Sequence, residues 1–227
     1  MKPQEFKAAR LNKGWTQTQA AARLGITQAY LNFLENGKRR LTPKLVGRAT
    51  SVYGLSPDSL PVPANFVPQH SDNQRLSERL AKLGYPGFLY LHSHTPKENP
   101  SQVLLEALWQ DSLDGRVAEA LPWVALNYAG PDMWLVENAR KLNLQNRLGF
   151  VVNLAQRVAE KQGSPRLTVL NELEKVLNDS RLAKEDVFYR LPRTEGEREW
   201  LMQNRTTDAA HWNLLADMKP EHLQYAV

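Results

Sequence analysis

The chain has 227 residues, no cysteine and a net charge of +5 that is unevenly distributed. The absence of cysteine excludes disulfide bonds, thiol catalysis and cysteine-ligated zinc, and it is compatible with a reducing cytoplasm. Residues 1–60 hold ten Lys and Arg against three Asp and Glu, a net charge of +7, whereas residues 61–227 carry a net charge of −2. The basic N-terminal part therefore predicts a polyanionic partner, and the length predicts a second domain.

Membrane and secretory segments are not predicted. The sequence has no apolar run of about 18 residues, and it does not begin with the basic and apolar stretches of a secretory signal. We therefore expect a cytoplasmic protein, which associates with the nucleoid if its basic part binds DNA.

Two short helices are predicted at the start of the chain. The first spans residues 3–13 and ends at Gly14. Thr16 is a favourable N-cap for the second, residues 17–24, and Gly25 suits the left-handed conformation that ends a helix. The residues predicted to face the core are Phe6, Ala8 or Ala9, Leu11, Ala20, Ala21 and Leu24.

A third helix is predicted after a tight turn. Thr27 is a second N-cap, and Gly37 ends the segment 28–36. Leu31 and Leu34 are three residues apart, so both face inward. The residues left pointing elsewhere are Gln28, Tyr30, Asn32 and Phe33, an unusual combination of amides and aromatic rings for a solvent-facing surface.

This pair of helices resembles the helix-turn-helix of the Cro/C1 (XRE) family of repressors, which includes the lambdoid phage repressors. The family pattern places Thr-Gln at the start of helix two, a small residue midway, Leu-Gly at the turn and Glu-x-Gly-Lys/Arg after the third helix. The resemblance covers about residues 3–60, and it implies a five-helix, lambda-repressor-like DNA-binding domain over residues 1–62. The matching positions are Thr16, Gln17, Ala20 or Ala21, Leu24, Gly25, Glu35, Gly37 and Lys38.

The third helix is predicted to enter the major groove of double-stranded DNA, which admits one α-helix. Amide side chains pair two-fold with the adenine edge, so Gln28 in the first turn is best placed to contact a base. Tyr30 and Phe33 stand where many family members carry small or polar residues, and the alternative is that both rings pack against a neighbouring helix. The predicted base-contacting residues are Gln28, Ala29, Tyr30, Asn32 and Phe33.

Cations and helix N-termini are predicted to bind the DNA phosphates, although a run such as Lys38–Arg40 is also typical of a solvated face. The resemblance implies that Gln17 meets a phosphate and steadies Gln28. It also implies an ion pair between Arg10 and Glu35, for which the alternative is two solvated charges. The predicted phosphate-binding residues are Thr16, Gln17, Asn36, Lys38, Arg39 and Arg40.

Two further helices complete the predicted first domain. Thr42 and Pro43 favour the start of the fourth, and Ser56 caps a short fifth helix. The residues that follow, 63–73, are Pro-rich with no helical period and are predicted as a semi-rigid linker. The predicted buried face of the fourth helix consists of Leu45, Val46, Ala49 and Val52.

Residues 74–227 are predicted as a larger all-helical domain, for which no family is recognised. At residues 144–159 apolar residues recur on one face, which predicts the central core helix. Residues 85–100 are predicted to be extended, and residues 113–128 to form a helix interrupted at Pro122. Further helices are predicted from Ser71 or Asp72 to Leu83, from Asn99–Pro100, from Ser164–Pro165, at the Thr194 and Glu197 capping box, and from Thr207 through Leu214 and Leu215.

Catalysis is not predicted. His92 and His94 form the only close histidine pair, and without a third ligand at helical spacing such a pair is more often a polar loop than a metal site. No metalloprotease helix, Gly-rich phosphate loop or nucleophile elbow occurs in the sequence. We therefore expect no enzyme activity, no cofactor and no metal.

These features predict an all-α, sequence-specific DNA-binding regulator that represses its own operon as a homodimer on a palindromic operator. Two roles stay open for the second domain besides dimerisation. It binds a cognate toxin, so that the protein is an antitoxin, or it senses a small molecule in a pocket between helices. An exposed apolar patch would favour the first role, and an enclosed apolar cavity with a few polar groups would favour the second.

Overall fold

The computed structural model describes residues 1–91, 98–223 and 225 of the chain. Within these ranges the chain divides into two compact units. The first unit holds residues 1–63 and 98–99, and the second holds residues 64–91, 100–223 and 225. Most of both units is helical, which confirms the predicted all-α class. His92 and His94 lie outside the described residues.

Four α-helices and a closing 3₁₀ turn form residues 1–63 of the first unit. The glycine and N-cap signals place the helix ends within one or two residues of the predicted positions, and the predicted fifth helix is the 3₁₀ turn. The elements are α1 (Pro3–Asn12), α2 (Gln17–Leu24), α3 (Gln28–Glu35), α4 (Pro43–Tyr53) and the 3₁₀ turn Pro57–Ser59. The core consists of Phe6, Ala9, Ala20, Ala21, Leu24, Leu31, Leu34, Leu45, Ala49 and Tyr53.

For one residue of this unit, Leu11, the prediction that it faces the core is wrong. Leu11 is 55% exposed, whereas the neighbouring Arg10 is only 6% exposed. The buried face of α1 runs through Phe6, Ala9 and Arg10, so position 11 points away from the core. A charged residue takes the inward position because Glu35 of α3 is buried opposite it.

The second unit is built around its longest helix, as the apolar pattern at residues 144–159 predicts. This helix packs mainly against the helices Gly115–Tyr128 and Leu167–Asn178. Every one of its predicted apolar positions is buried. The helices of the unit are α5 (Asn73–Lys82), α6 (Pro100–Trp109), α7 (Gly115–Tyr128), α8 (Met133–Lys141), α9 (Gln145–Gln162), α10 (Leu167–Asn178), α11 (Glu195–Asn204) and α12 (Thr207–His211).

Two local predictions in this unit are wrong. Residues predicted to be extended form a 3₁₀ helix, Pro86–Leu91. Pro122 lies inside a continuous α7 rather than interrupting it, and it is buried there. The proline removes one N–H from the helix, but packing of α7 against α5, α6 and α9 outweighs that loss. In addition, α8 was not predicted as a separate helix, although Asp132 caps it.

The predicted C-terminal end of the last helix is also wrong. It stops at His211, and Leu214–Leu215 forms strand β2, which pairs in parallel with β1 (Asp186–Val187). Asn213 has a φ of 53°, a left-handed conformation that ends the helix before the strand. A further 3₁₀ turn, Pro220–His222, follows within the described residues.

The segment before α5, within the predicted linker, contacts the second unit. The ring of Phe66 lies 5.2 Å from that of Trp134, and the ring of His70 lies 4.5 Å from that of Trp109. The Gln110 amide also bonds to the segment, because its Nε2 donates to the Gln69 carbonyl oxygen over 3.0 Å. Much of the Pro-rich stretch therefore belongs to the second unit.

Within the described ranges, no helix is both long enough and apolar enough to cross a membrane. In the same part of the chain, no three His, Asp or Glu side chains are grouped in a way that could hold a metal ion.

Candidate nucleic-acid interface

The turn between α2 and α3 is held by caps on both sides. Thr16 Oγ1 accepts from the Gln19 N–H over 3.2 Å, and Thr27 Oγ1 accepts from the Tyr30 N–H over the same distance. Gly25 ends α2 with a φ of 63°, which favours glycine. These caps direct the first turn of α3 outward, and Gln28 there is exposed.

A buried ion pair joins α1 to the last turn of α3. Arg10 Nε donates to Glu35 Oε1 over 2.6 Å, and Arg10 Nη2 donates to Glu35 Oε2 over 2.9 Å. Arg10 and Glu35 are 6% and 5% exposed. Arg10 Nη1 also donates to the Trp15 carbonyl oxygen over 2.8 Å, so the guanidinium links α1, the start of α2 and α3. Two parallel hydrogen bonds of this kind fix the relative orientation of the two side chains in addition to pairing their charges.

The charge state of Glu35 follows from opposing effects. Burial alone would raise its pKa, but hydrogen bonds from Arg10 and Gln17, together with the positive charges of Arg10 and Lys7, hold the pKa below its ordinary value. The carboxylate is therefore ionised at neutral pH. Burial raises the pKa of the nearby Tyr53 hydroxyl to about 12.

The ion pair continues into a chain of side-chain amides that reaches the outer surface of α3. Gln17 Nε2 donates to Glu35 Oε2 over 2.9 Å, and Gln28 Nε2 donates to Gln17 Oε1 over 2.7 Å. Asn32 Nδ2 lies 3.5 Å from the same Gln17 oxygen. The half-buried Gln17 amide therefore has a hydrogen-bond partner at its nitrogen and another at its oxygen.

The remaining predicted base-contacting residues differ in exposure. Ala29 and Phe33 are exposed, Phe33 at 43%, whereas Asn32 is half-buried. Asn32 Oδ1 accepts from Asn36 Nδ2 over 3.2 Å. Tyr30 is half-buried and packs against the core of the first unit, as the alternative interpretation of its ring expected. Phe33, by contrast, keeps its ring on the outer surface.

The basic loop after α3 is fully exposed. Lys38, Arg39 and Arg40 all lie on the surface, and the Lys38 and Arg39 N–H groups donate to the Phe33 carbonyl oxygen over 2.8 and 3.3 Å. These bonds fix the backbone of the loop next to α3. Asn36, at the C-terminus of α3, is also exposed, and its Nδ2 donates to the Asn32 carbonyl oxygen over 2.9 Å.

Two cationic contacts here were missed from the sequence. Arg48 of α4 donates from Nη1 to the Leu24 carbonyl oxygen over 2.7 Å, which satisfies the C-terminus of α2. The Arg23 guanidinium lies 4.3 Å from the centre of the Trp15 ring. The basic residue in the last turn of α2 was the available signal for the second contact. Both contacts brace α2, on which α3 packs.

Residues 6–60 match the protein-family model described as Helix-turn-helix. No curated protein and no solved structure matches the chain. The matched range covers α1 to α4 and the closing 3₁₀ turn, and it lies entirely within the first unit. The first unit is therefore a helix-turn-helix domain, the DNA-binding module of transcription regulators, as the resemblance implied.

Proposed function

We propose that this helix-turn-helix protein is a sequence-specific transcription regulator that represses its own operon as a dimer on a palindromic operator. The observation that carries the proposal is the exposed first turn of α3, where Gln28 is held by Gln17 and the basic loop 38–40 lies at the other end of the helix. In the complex, α3 lies in the major groove, Gln28 contacts a base edge, and the loop cations bind phosphates.

Dimerisation follows from how such a domain recognises DNA. One α3 covers only a half-site, and two copies related by a two-fold axis place their α3 helices about one turn of DNA apart, roughly 34 Å. We assign the dimer contacts to the second unit, because most of the exposed large apolar side chains belong to it. These side chains are Val67, Leu89, Tyr90, Met133, Leu191 and Trp200, against Leu11 and Phe33 in the first unit.

Exposed apolar side chains of the second unit also support a protein partner such as a cognate toxin, which would make the protein an antitoxin. Trp200 is 52% exposed and Leu191 is 51% exposed, although both are large apolar side chains. Tryptophan is enriched among the residues that dominate binding energy at protein interfaces. Co-expression with the product of the adjacent gene tests this role, and a Trp200→Ala variant that binds that product equally well would argue against it.

The alternative function is that of a small-molecule-sensing transcription factor. A cavity of about 240 Å³ in the second unit favours it. The cavity is lined by apolar Trp109 and Leu182 beside charged Arg147 and Asp186. Arg147 binds both carboxylate oxygens of Asp186 at 2.8 and 2.9 Å, so these two charges already neutralise each other. Three further charged residues line the cavity, so an effector there would be small and polar.

Selection from random double-stranded DNA with the full-length protein tests sequence-specific binding. We expect one palindromic sequence to be enriched, and Gln28→Ala to cost about 1–3 kcal/mol at one base pair of each half-site while leaving non-specific binding nearly unchanged. An equal loss on the selected site and on random DNA would make Gln28 a residue that positions the protein. Enrichment of no sequence would contradict the proposed function.

Salt dependence tests the role of the basic loop. Lys38→Ala should weaken binding to all sequences and flatten the slope of log affinity against log salt by about one unit. The matched control is Lys184→Ala, an exposed lysine of the second unit, which should leave the slope unchanged. A slope that is flat in the wild-type protein would contradict the electrostatic account.

A further inference from the structure

The cavity of about 240 Å³ in the second unit lies between two chain segments that the first turn of α9 holds in place. Arg147 Nη1 donates to the Leu108 and Gln110 carbonyl oxygens over 2.8 and 3.1 Å, which fixes the end of α6 at Trp109. Its Nε and Nη2 donate to the Asp186 carboxylate over 2.8 and 2.9 Å, which fixes the start of β1. One guanidinium therefore joins two walls of the cavity.

A second residue of the same turn fixes the loop that leads to β1. Asn146 Nδ2 donates to the Leu182 carbonyl oxygen, and Asn146 Oδ1 accepts from the Leu182 N–H, both over 2.9 Å. Asn213 Nδ2 donates to the same carbonyl oxygen over 2.7 Å. The lining of the cavity is therefore ordered by the protein itself, so a ligand would not lose affinity by having to order it.

Three of the five charged residues that line the cavity are paired within the protein. Arg147 and Asp186 neutralise each other across two hydrogen bonds. Glu185 Oε1 accepts from Arg198 Nε and Nη2 over 3.1 and 2.8 Å. These three residues therefore leave little charge for a ligand to neutralise.

The other two charged residues, Asp111 and Lys184, are exposed and opposite in sign. Within the described ranges of the chain, neither side chain has a hydrogen bond or an ion pair to the protein. Asp111 directly follows Gln110, and Lys184 lies two residues before Asp186, so both are next to residues that Arg147 fixes. The cavity therefore offers a ligand one carboxylate and one ammonium group.

The rest of the lining is apolar, apart from Asn143. A volume of about 240 Å³ is smaller than the pockets of roughly 300–1,000 Å³ that hold drug-sized ligands. The ligand that fits is therefore small and has an apolar part beside its charges. The apolar residues of the lining are Trp109, Leu142, Leu144 and Leu182.

We propose that this cavity binds a free α-amino acid with an apolar side chain. The ammonium group of the amino acid binds Asp111, its carboxylate binds Lys184, and its side chain contacts the apolar lining. A ligand with only one charge would leave either Asp111 or Lys184 without a partner. The inference rests on the alternative function proposed above, small-molecule sensing, and it names the chemical class of the effector.

Calorimetry with the full-length protein, in the absence of DNA, measures binding of L-valine, L-leucine, L-methionine and L-phenylalanine. We expect at least one of them to bind. The matched probes are the amine and the carboxylic acid that keep its side chain but lack one charge, which for L-leucine are isoamylamine and isocaproate. Each should bind about tenfold more weakly or less, because a bond between two charged groups is lost.

Two variants assign the charges to their residues. Asp111→Asn should weaken amino-acid binding by about tenfold, and it should no longer distinguish the amino acid from its carboxylic acid analogue. Lys184→Met should weaken binding similarly, and it should no longer distinguish the amino acid from its amine analogue. The matched controls are Asp179→Asn and Lys175→Met, at exposed residues near the end of α10 that do not line the cavity. Both should keep the wild-type affinity.

Four results would overturn the inference. They are no binding of any of the four amino acids at millimolar concentrations, equal binding of an analogue that lacks one charge, wild-type affinity in both Asp111→Asn and Lys184→Met, and an equal loss of affinity in the two controls.

Operator affinity with and without the amino acid separates the inference from the function on which it rests. Binding in the expected pattern that leaves operator affinity unchanged would support the amino-acid site and contradict small-molecule sensing. A protein that recognises no operator would contradict the proposed function, whereas the calorimetric result would still decide whether the site exists.

Discussion

The Arg10–Glu35 pair of the first unit and the Arg79–Glu106 pair of the second are closely similar. Each has two hydrogen bonds between guanidinium and carboxylate, at 2.6 and 2.9 Å in the first and 2.7 and 3.2 Å in the second. In both pairs the arginine is 6% exposed and the glutamate 5% exposed. Each pair therefore joins two helices of its own unit with the same geometry.

The two pairs differ in the third group that the carboxylate holds. Glu35 accepts from Gln17, whose amide leads to the outer surface of α3. Glu106 accepts from Ser71 Oγ over 2.9 Å, and Ser71 belongs to the segment that precedes α5. The first pair orients a surface, whereas the second fastens a length of chain to its unit. The third hydrogen-bond partner of the carboxylate therefore determines what each buried ion pair does in its unit.

Removing the arginine of each pair is expected to have the largest effect. Arg10→Ala and Arg79→Ala should each lower the stability of their own unit by about 3–5 kcal/mol, because an unpaired carboxylate is left buried. Hydrogen exchange of peptides from α3 and α6 measures the two losses separately. The control is Arg75→Ala, an exposed arginine of α5, which should change little. Unchanged exchange of α3 in Arg10→Ala would refute the anchoring role of the first pair.

Separating the units tests the assignment of the dimer contacts. A fragment of residues 1–62 should fold, stay monomeric and bind the whole operator about a hundredfold more weakly, with unchanged base preference. It lacks Asn99, whose Nδ2 donates to the carbonyl oxygens of Asp58 and Leu60 over 2.9 and 2.7 Å, so some loss of stability is expected. Sedimentation and titration against whole and half operators measure both properties. A dimeric fragment that binds as tightly as the full chain would remove the second unit from DNA binding.

Acid should affect the two units in opposite directions. The pKa of Glu35 is lowered, so its contribution to stability is complete above the unfolded pKa of about 4.3 and is lost as the pH falls through the lower folded pKa. Burial raises the pKa of Glu119 in the second unit, although His222 and Arg116 oppose this. Its contribution is therefore present below the unfolded pKa and lost as the pH rises through the folded pKa.

Urea titrations between about pH 3 and 7, followed by methyl resonances of Leu31 and Leu148, report on the two units separately. Glu35→Gln should remove the acid-dependent loss in the first unit. The same loss in Glu35→Gln and in the wild-type protein would assign it to another carboxyl group.

The smallest expected effect compares a buried tyrosine of the first unit with a half-buried tyrosine of the second. Tyr53 Oη of the first unit has no hydrogen-bond partner among the described residues, so Tyr53→Phe should change stability by less than about 0.5 kcal/mol. Tyr189 of the second unit donates to Asp217 Oδ1 over 2.8 Å, so Tyr189→Phe should cost about 1 kcal/mol. Urea denaturation measures both. A loss in Tyr53→Phe as large as that in Tyr189→Phe would indicate a polar contact for the Tyr53 hydroxyl.

Local chemistry made much of the first unit predictable. Thr16 and Thr27 cap their helices, and Gly25 has the left-handed conformation that its position predicted. These signals act over three or four residues, so they can be recognised without knowing what the rest of the chain does. In the second unit the long apolar period predicted the central helix α9 for the same reason.

The errors arise where distant residues outweigh local preference. Leu214 and Leu215 were predicted in a helix, yet they form a strand because β1, far earlier in the chain, lies beside them. Arg10 takes a core position and Leu11 an exposed one because Glu35, 25 residues away, supplies the partner that a buried guanidinium requires.

The amino-acid sequence by itself determined the helix ends of the first unit and the central helix of the second. Only the tertiary structure decided how the amides that are proposed to contact DNA are oriented. Gln17 and Gln28 are amides whose two ends are nearly the same size, and no local pattern distinguishes one orientation from the other. The distinction comes from the buried carboxylate of Glu35, which packing brings within 2.9 Å of Gln17 although 18 residues separate them in the chain.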